Sequence, residues 1–64
     1  MSKAATAGLK IGDTIVVEIR NALNTGEGVG TYQNKRVIVP GGFVGEKLRL
    51  TVRVIEPDYI IATR

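Results

Sequence analysis

The stretch Lys47-Leu48-Arg49-Leu50-Thr51-Val52-Arg53-Val54 alternates polar and apolar residues without a break. Successive side chains of a β-strand point to opposite faces, so this alternation predicts a strand with one buried and one solvated face. A helix would scatter the same apolar residues around its axis. We therefore predict a strand over about residues 46–55, and the other segments are interpreted around it.

The sequence before this strand predicts three more. Residues 13–23 carry Ile15, Val17 and Ile19 at every second position, with Val16 as the exception, and β-branched side chains favour an extended backbone. Residues 28–33 and 36–39 have the same character. Between them, Gln33-Asn34-Lys35 predicts a tight turn, because asparagine tolerates the left-handed conformation.

Proline and glycine supply the remaining breaks. Pro40 ends the third strand, Gly41-Gly42 turns the chain, and Glu56-Pro57-Asp58 forms another turn before a last strand at residues 59–63. The sequence thus predicts an all-β fold of five short strands and no helix. Five strands in so short a chain must curl to bury one face, so we expect a small OB-like or SH3-like barrel.

The segment Gly26-Glu27-Gly28-Val29-Gly30 superficially resembles a phosphate-binding loop. A dinucleotide-binding loop would open a helix, whereas this segment leads into another strand. Gly45-Glu46-Lys47-Leu48 also lacks the Gly-Lys-Ser/Thr sequence of a nucleotide-triphosphate loop. We interpret the glycine segment as a tight turn between strands with a bulge.

Composition argues against an enzyme. The 64 residues include no cysteine and no histidine, which excludes zinc fingers, Cys–His nucleophiles and Ser–His–Asp triads. None of the six carboxylates pairs with another on the apolar face of a strand, and no second domain forms a cleft. We expect no catalytic residue, no metal and no cofactor. The carboxylates are Asp13, Glu18, Glu27, Glu46, Glu56 and Asp58.

The chain is divided into a leader and one domain. Residues 1–8 are rich in Ala, Thr and Ser, without the apolar run of a signal peptide, and we expect a flexible leader whose Lys3 makes loose electrostatic contacts. Residues 9–64 form the predicted domain. No apolar run reaches the ~20 residues needed to span a bilayer. Together with the absence of cysteine, this favours a cytoplasmic protein. Nothing in the sequence demands a dimer, so we expect a monomer.

The charge of the chain favours a polyanionic partner. Nine Lys and Arg residues against six Asp and Glu give a net charge of +3. Lys47, Arg49 and Arg53 share the polar face of one strand, about 7 Å apart for neighbours two positions away, a spacing comparable to that of backbone phosphates. The alternative is an ordinary solvated face, with Lys47 or Arg49 paired to an acidic neighbour.

The three aromatic residues are the candidates for stacking on bases. Phe43 lies in a glycine-rich loop, and Tyr32 shares a face with Gly30, where a base could approach the backbone closely. Packing in the core is the alternative for each of them, and for Tyr59 it is the favoured interpretation.

The order of motifs resembles the TRAM domain in its stand-alone archaeal form. The resemblance covers about residues 9–64 and rests on four motifs followed by a basic strand and a closing Tyr59-Ile60-Ile61-Ala62. The four are Ile11-Gly12-Asp13, Gly26-Glu27-Gly28-Val29-Gly30, Val37-Ile38-Val39-Pro40-Gly41 and Gly45-Glu46-Lys47-Leu48. The resemblance implies an OB-like barrel that binds RNA, as in domains appended to tRNA and rRNA modification enzymes, and a cold-shock-like RNA chaperone. The chain departs from many TRAM domains at Thr31, where a basic residue is common, and at Ile38, where an aromatic residue is common.

These observations lead to two functional hypotheses. The first is a non-catalytic RNA-binding protein that takes tRNA or unstructured RNA through phosphate contacts at five basic residues and base stacking at two aromatic residues. The second is a protein-interaction module, or an accessory subunit of an RNA-modification or ribosome-associated assembly, that uses an apolar patch near Phe43, Val44 and Ile61. The RNA-binding candidates are Tyr32, Lys35, Arg36, Phe43, Lys47, Arg49 and Arg53.

Overall fold

The computed structural model describes residues 8–64, and these residues form an all-β domain, as the alternation predicts. Most of the predicted leader, residues 1–7, lies outside the described residues. Across residues 8–64 no helix occurs that is long and apolar enough to cross a membrane. The strands are β1 (Thr14–Glu18), β2 (Asn21–Ala22), β3 (Glu27–Tyr32), β4 (Lys35–Pro40), β5 (Lys47–Ile55) and β6 (Tyr59–Thr63).

The strands form one curled, half-barrel sheet in the order β1-β5-β6-β4-β3-β2. All neighbours are antiparallel except β4 and β6, which run parallel. The prediction of five strands is approximately right, because the structure divides the first predicted strand into β1 and β2 at Ile19-Arg20. The amide of Ile19 donates to the carbonyl of Glu46 at 2.7 Å, whereas the amide of Arg20 donates to Val29 at 2.8 Å. The backbone thus changes its hydrogen-bonding partner from the start of β5 to β3 between these two residues, and β1 and β2 lie at opposite ends of the strand order.

Two glycines of β3 allow the sheet to curl this tightly. A Cβ atom on Gly30 would lie 2.4 Å from Val17 Cγ1 and 2.5 Å from the carbonyl oxygen of Glu18. A Cβ atom on Gly28 would lie 2.8 Å from both the carbonyl oxygen of Gly42 and the side chain of Ile19. Both glycines therefore face the interior at distances that no larger residue could occupy without a shift of the backbone.

The core consists of nine buried apolar residues contributed by β1, β4, β5, β6 and the residue that follows β1. Strand alternation places them inward at every second position, and nearly all of them are β-branched or otherwise branched, which suits a pleated surface. No polar side chain is buried among residues 8–64. The nine residues are Ile15, Val17, Ile19, Val37, Val39, Leu50, Val52, Ile60 and Ala62.

A bulge in β5 breaks the predicted alternation. Val52 lies opposite Ala62, but Val54 lies opposite Ile61, so Arg53 is an extra residue without an opposite partner. The bulge reverses the two faces of β5: Ile55 packs against the core, while Val54 shares the outer face with Ile61. The prediction that Val54 continues the inward set of Leu48, Leu50 and Val52 is therefore wrong.

The two predicted turns around β3 differ from each other. The hairpin between β3 and β4 consists of Gln33 and Asn34 alone, with φ angles of 51° and 70°, and Lys35 already belongs to β4. At the other end of β3, only Gly26 takes a positive φ, of 94°, and the pairings of β3 contain no bulge. The bulge expected in the glycine segment is thus absent there.

Substitution of Gly30 by alanine tests the packing of β3 against β1. The added Cβ would overlap Val17 and the backbone of Glu18, so we expect the free energy of unfolding to fall by about 1–3 kcal/mol. Urea denaturation of Gly30→Ala measures the change. Thr31→Ala, one residue further along β3 on the exposed face, is the control and should change stability by less than about 1 kcal/mol. Equal stability of the two variants would contradict the close approach.

Candidate nucleic-acid interface

A row of four β-branched apolar residues crosses the outer face of the sheet. Val29 of β3 lies opposite Ile38 of β4, Ile38 opposite Ile61 of β6, and Ile61 opposite Val54 of β5. All four side chains are half-buried, and none belongs to the buried core. We call these residues the apolar row. Val54 belongs to it because the bulge at Arg53 turns this residue outward.

Two arginines lie on opposite sides of the apolar row. Arg36 lies two residues before Ile38 in β4, between Thr31 of β3 and Tyr59 of β6. Arg53 lies on the other side of the row, directly before Val54 in β5, and its Nε–H donates to Thr63 Oγ1 at 3.0 Å. That bond uses the Nε–H of Arg53, whose side chain is exposed, so the terminal N–H groups of the guanidinium can donate to a ligand.

A third arginine lies at the β2–β3 end of the row. The break between β1 and β2 places Arg20 and Asn21 beside β3, where they line an open groove of about 200 Å³ together with Val29, Thr31 and Arg36. Arg20 also pairs with Glu18 at 3.7 Å, and both side chains are more than half exposed. Arg20, Arg36 and Arg53 therefore frame the apolar row, and we call this surface the arginine-framed face.

The remaining cations of β5 continue away from the arginine-framed face. Lys47 lies opposite Glu18 and Arg49 opposite Val16 on the outer surface of the β1–β5 pair. The predicted alternative for these cations was an acidic partner. Glu18 lies opposite Lys47, but within residues 8–64 the ion pair that Glu18 forms is with Arg20. Lys47 and Arg49 thus extend the positive surface toward the end of the sheet where β5 begins.

The loop between β4 and β5 occupies that end and presents two large apolar side chains. Phe43 is 70% exposed and Val44 is 59% exposed. The β3–β4 hairpin lies at the opposite end of β4, about 17 Å away for a six-residue strand. The predicted aromatic residues Tyr32 and Phe43 therefore lie at opposite ends of the domain.

The two tyrosines reverse their expected positions. Tyr32 faces inward at the end of β3 and packs against the core, opposite Lys35. A base cannot approach it over Gly30, because Gly30 faces Val17. Tyr59, for which core packing was expected, is 36% exposed and lies beside Arg36.

The structure brings Arg36 and Arg53 together on one face, and places Lys47, Arg49 and Phe43 along its extension. Sequence reasoning missed Arg20 and Asn21, because their position depends on the break between β1 and β2. Tyr59 could have been found, since the alternation of Ile60 and Ala62 with Tyr59 and Ile61 places Tyr59 outward. Within residues 8–64, no three carboxylates cluster as a metal site would require.

Comparison with known proteins finds sequence similarity to a curated protein. The chain is 33% identical over 57 residues to the protein "Ribosomal RNA large subunit methyltransferase E" of Methanocella arvoryzae. The aligned region covers 89% of this chain and 22% of that protein, so the chain spans about a fifth of the length of this curated relative. No family model matches the chain. The similarity connects nearly the whole domain to part of a protein named for RNA modification.

Alanine substitutions of Tyr32, which packs against the core, and of Phe43, which is exposed, test the placement of these two aromatic residues. Tyr32→Ala removes packing against the core, and we expect the free energy of unfolding to fall by about 2 kcal/mol or more. Phe43→Ala removes a side chain that is 70% exposed and should change stability by less than about 0.5 kcal/mol. Thermal or urea denaturation gives both values. A larger loss for Phe43→Ala than for Tyr32→Ala would contradict these positions.

Proposed function

We propose that the chain is a non-catalytic RNA-binding protein that takes single-stranded RNA, or the unpaired loops of tRNA, on the arginine-framed face. The observation that carries the proposal is the arrangement of Arg20, Arg36 and Arg53 around an apolar row with Tyr59 at its edge. Phosphates need cations, and unpaired bases need apolar or aromatic surface. This face offers both within four neighbouring strands.

The arginines supply the phosphate contacts in this proposal. A guanidinium presents several N–H groups in a rigid fork that matches two phosphate oxygens. Arg36 is exposed between Thr31 and Tyr59, and the bond from Arg53 Nε to Thr63 holds the second guanidinium in place. The ion pair of Arg20 with Glu18 is exposed and therefore weak, so a phosphate can displace the carboxylate.

Tyr59 and the apolar row supply the base contacts. Stacking of a base on an aromatic ring contributes about 1–3 kcal/mol and tolerates any base, since every base has a π-face. Bases inside a duplex are already stacked and cannot reach a shallow protein face. The surface thus favours unpaired strands, and binding of unpaired strands lowers the free energy of melted RNA states without ATP. A cold-shock-like RNA chaperone in the cytoplasm would work in this way.

The other predicted residues extend the proposed RNA path. From Arg53 the path follows Arg49 and Lys47 along β5, about 20 Å in six residues, and ends at Phe43. Lys35 lies opposite Tyr32, on the other face of β4 from Arg36, so it would add a cation only where the RNA passes around the hairpin end. Tyr32 contributes indirectly, by packing against the core beneath that hairpin.

The fold and the relative support an RNA partner. If residues 14–22 are counted as one bent strand, five strands close in an OB-like order, an architecture that presents the second and third strands, here β3 and β4, to oligonucleotides. The motif order resembles TRAM domains, and the similar protein of Methanocella arvoryzae is named as an rRNA methyltransferase. We therefore propose membership of the TRAM family.

Arginine variants test the proposal by titration with a short unstructured RNA. Arg36→Ala removes a phosphate contact beside Tyr59, and we expect about a ten-fold rise in Kd. The log–log salt dependence should become shallower by about 0.7, the contribution of one phosphate on a single strand. Arg53→Ala should behave similarly. Fluorescence anisotropy at several salt concentrations measures both quantities.

Arg49→Ala is the matched control, because it removes the same charge from the extension of the face. We expect about a three-fold rise in Kd for this variant, since Arg49 lies beyond the apolar row. Equal losses for Arg36→Ala and Arg49→Ala would show that overall charge, rather than the arginine-framed face, governs binding. An unmodified chain without affinity for RNA would reject the proposal.

The second candidate function is a protein-interaction module or accessory subunit. Exposure of Phe43 and Val44 at the β4–β5 loop favours it. Ile61, which the sequence grouped with them, lies instead in the apolar row. This function requires that the chain bind a partner protein and no RNA, and that Phe43→Ala abolish the protein contact.

A further inference from the structure

The loop that presents Phe43 is held in one conformation by backbone hydrogen bonds at each end. The amide of Gly42 donates to Val39 at 3.0 Å, and the amide of Glu46 donates to Phe43 at 3.1 Å. The amide of Gly45 donates to Ile19 at 2.8 Å, which ties the loop to the break between β1 and β2. Gly41 and Gly45 take positive φ angles of 76° and 96°, as the turns require.

Two charged side chains, those of Glu46 and Arg64, make further contacts with this loop. One carboxylate oxygen of Glu46 accepts the amide N–H of Phe43 at 2.8 Å, and the other lies 3.7 Å from Arg64 Nη1. Arg64 Nη2 also donates to the carbonyl of Gly41 at 3.0 Å. The Arg64 guanidinium therefore contacts both the first residue of the loop, Gly41, and the last, Glu46. Glu46 in turn accepts a hydrogen bond from the backbone of Phe43. We call these contacts the Arg64–Glu46 latch.

The latch orders a loop whose apolar side chains do not pack against the domain. An aromatic ring that is 70% exposed on a fixed backbone loses little further conformational entropy when a ligand stacks on it. A free loop would have to be ordered at that moment, at a cost in affinity. The hydrogen bonds thus fix the backbone beneath an exposed ring that a ligand can contact.

We propose that Arg64 is a positioning residue that holds Phe43 in place for RNA through Glu46 and Gly41, rather than a ligand of phosphate. This inference rests on the proposed function and assigns roles to two residues, Arg64 and Glu46, that the charge pattern alone would treat as one favourable cation and one unfavourable anion. Charge alone predicts that removal of Glu46 raises the affinity for RNA, whereas the positioning role predicts that it lowers this affinity.

The direction in which Glu46→Ala changes the affinity for RNA distinguishes the two interpretations. Loss of one carboxylate raises the net charge of +3 by one, so electrostatics alone predicts tighter binding of RNA. Loss of the latch frees the Phe43 amide, and we expect about a three-fold weaker affinity for a short unstructured RNA. Glu18→Ala removes the same group from β1, where it competes for Arg20, and should bind RNA more tightly. Tighter binding by both variants would overturn the inference.

Arg64→Ala and Phe43→Ala, combined in a double-mutant cycle, test the coupling. We expect Arg64→Ala to weaken RNA binding about three-fold with an unchanged salt slope, and to have no further effect when Phe43 is already alanine. Equal losses in both backgrounds, with a slope shallower by about 0.7, would identify Arg64 as a phosphate ligand and overturn the inference. No effect of Arg64→Ala, or none of Phe43→Ala, would also overturn it.

A readout without RNA separates the latch from the proposed function. Hydrogen exchange of the Phe43 amide should accelerate in Glu46→Ala and in Arg64→Ala, while the amides of Val39 and Leu50 keep their protection. Unchanged exchange at Phe43 would reject the latch. If exchange at Phe43 is unchanged but Arg36→Ala and Arg53→Ala still weaken RNA binding, the proposed function stands without the latch. If the latch is intact but the chain has no affinity for RNA, the proposed function is rejected.

Discussion

The contact between β3 and the bent segment of residues 14–22 is the constraint on which the rest of the structure depends. Gly30 meets Val17 and Glu18 at distances that exclude a side chain, and Gly28 meets Ile19 and Gly42 in the same way. Because β3 can approach so closely, the sheet curls enough to bury nine apolar residues among residues 8–64. A chain this short has little other apolar surface with which to stabilise a fold.

The same closure creates the outer surface. The segment must change partner from β5 to β3 between Ile19 and Arg20, and this change carries Arg20 and Asn21 onto the β3 side. On the opposite edge, the bulge at Arg53 bends β5 and turns Val54 outward. The two irregularities thus add Val54 to the apolar row and Arg20 to the arginines beside it.

Sequence patterns were most informative where alternation is regular. The alternation of Leu48, Leu50 and Val52 predicted β5, and Asn34 predicted the hairpin, because both depend on local geometry. Val54 was misplaced because a bulge inserts one residue and reverses the faces, and the adjacent pair Val54-Ile55 was its only trace in the sequence. Tyr59 faces outward as the alternation of β6 requires, whereas Tyr32 faces inward because it continues the inward positions of Gly28 and Gly30.

The sequence by itself determined the all-β class, the approximate strand ends, the excess of positive charge and the absence of histidine and cysteine chemistry, because these follow from composition and from the period of a single strand. Only the tertiary structure decided which cations share a surface. Arg36, Arg53 and Arg20 are separated along the chain and become neighbours through the β4–β6 parallel pair, the bulge and the break between β1 and β2. The turn at Gln33-Asn34 fixes the register of β3 and β4, but the pairing of strands that no hairpin joins depends on contacts between residues distant in the chain.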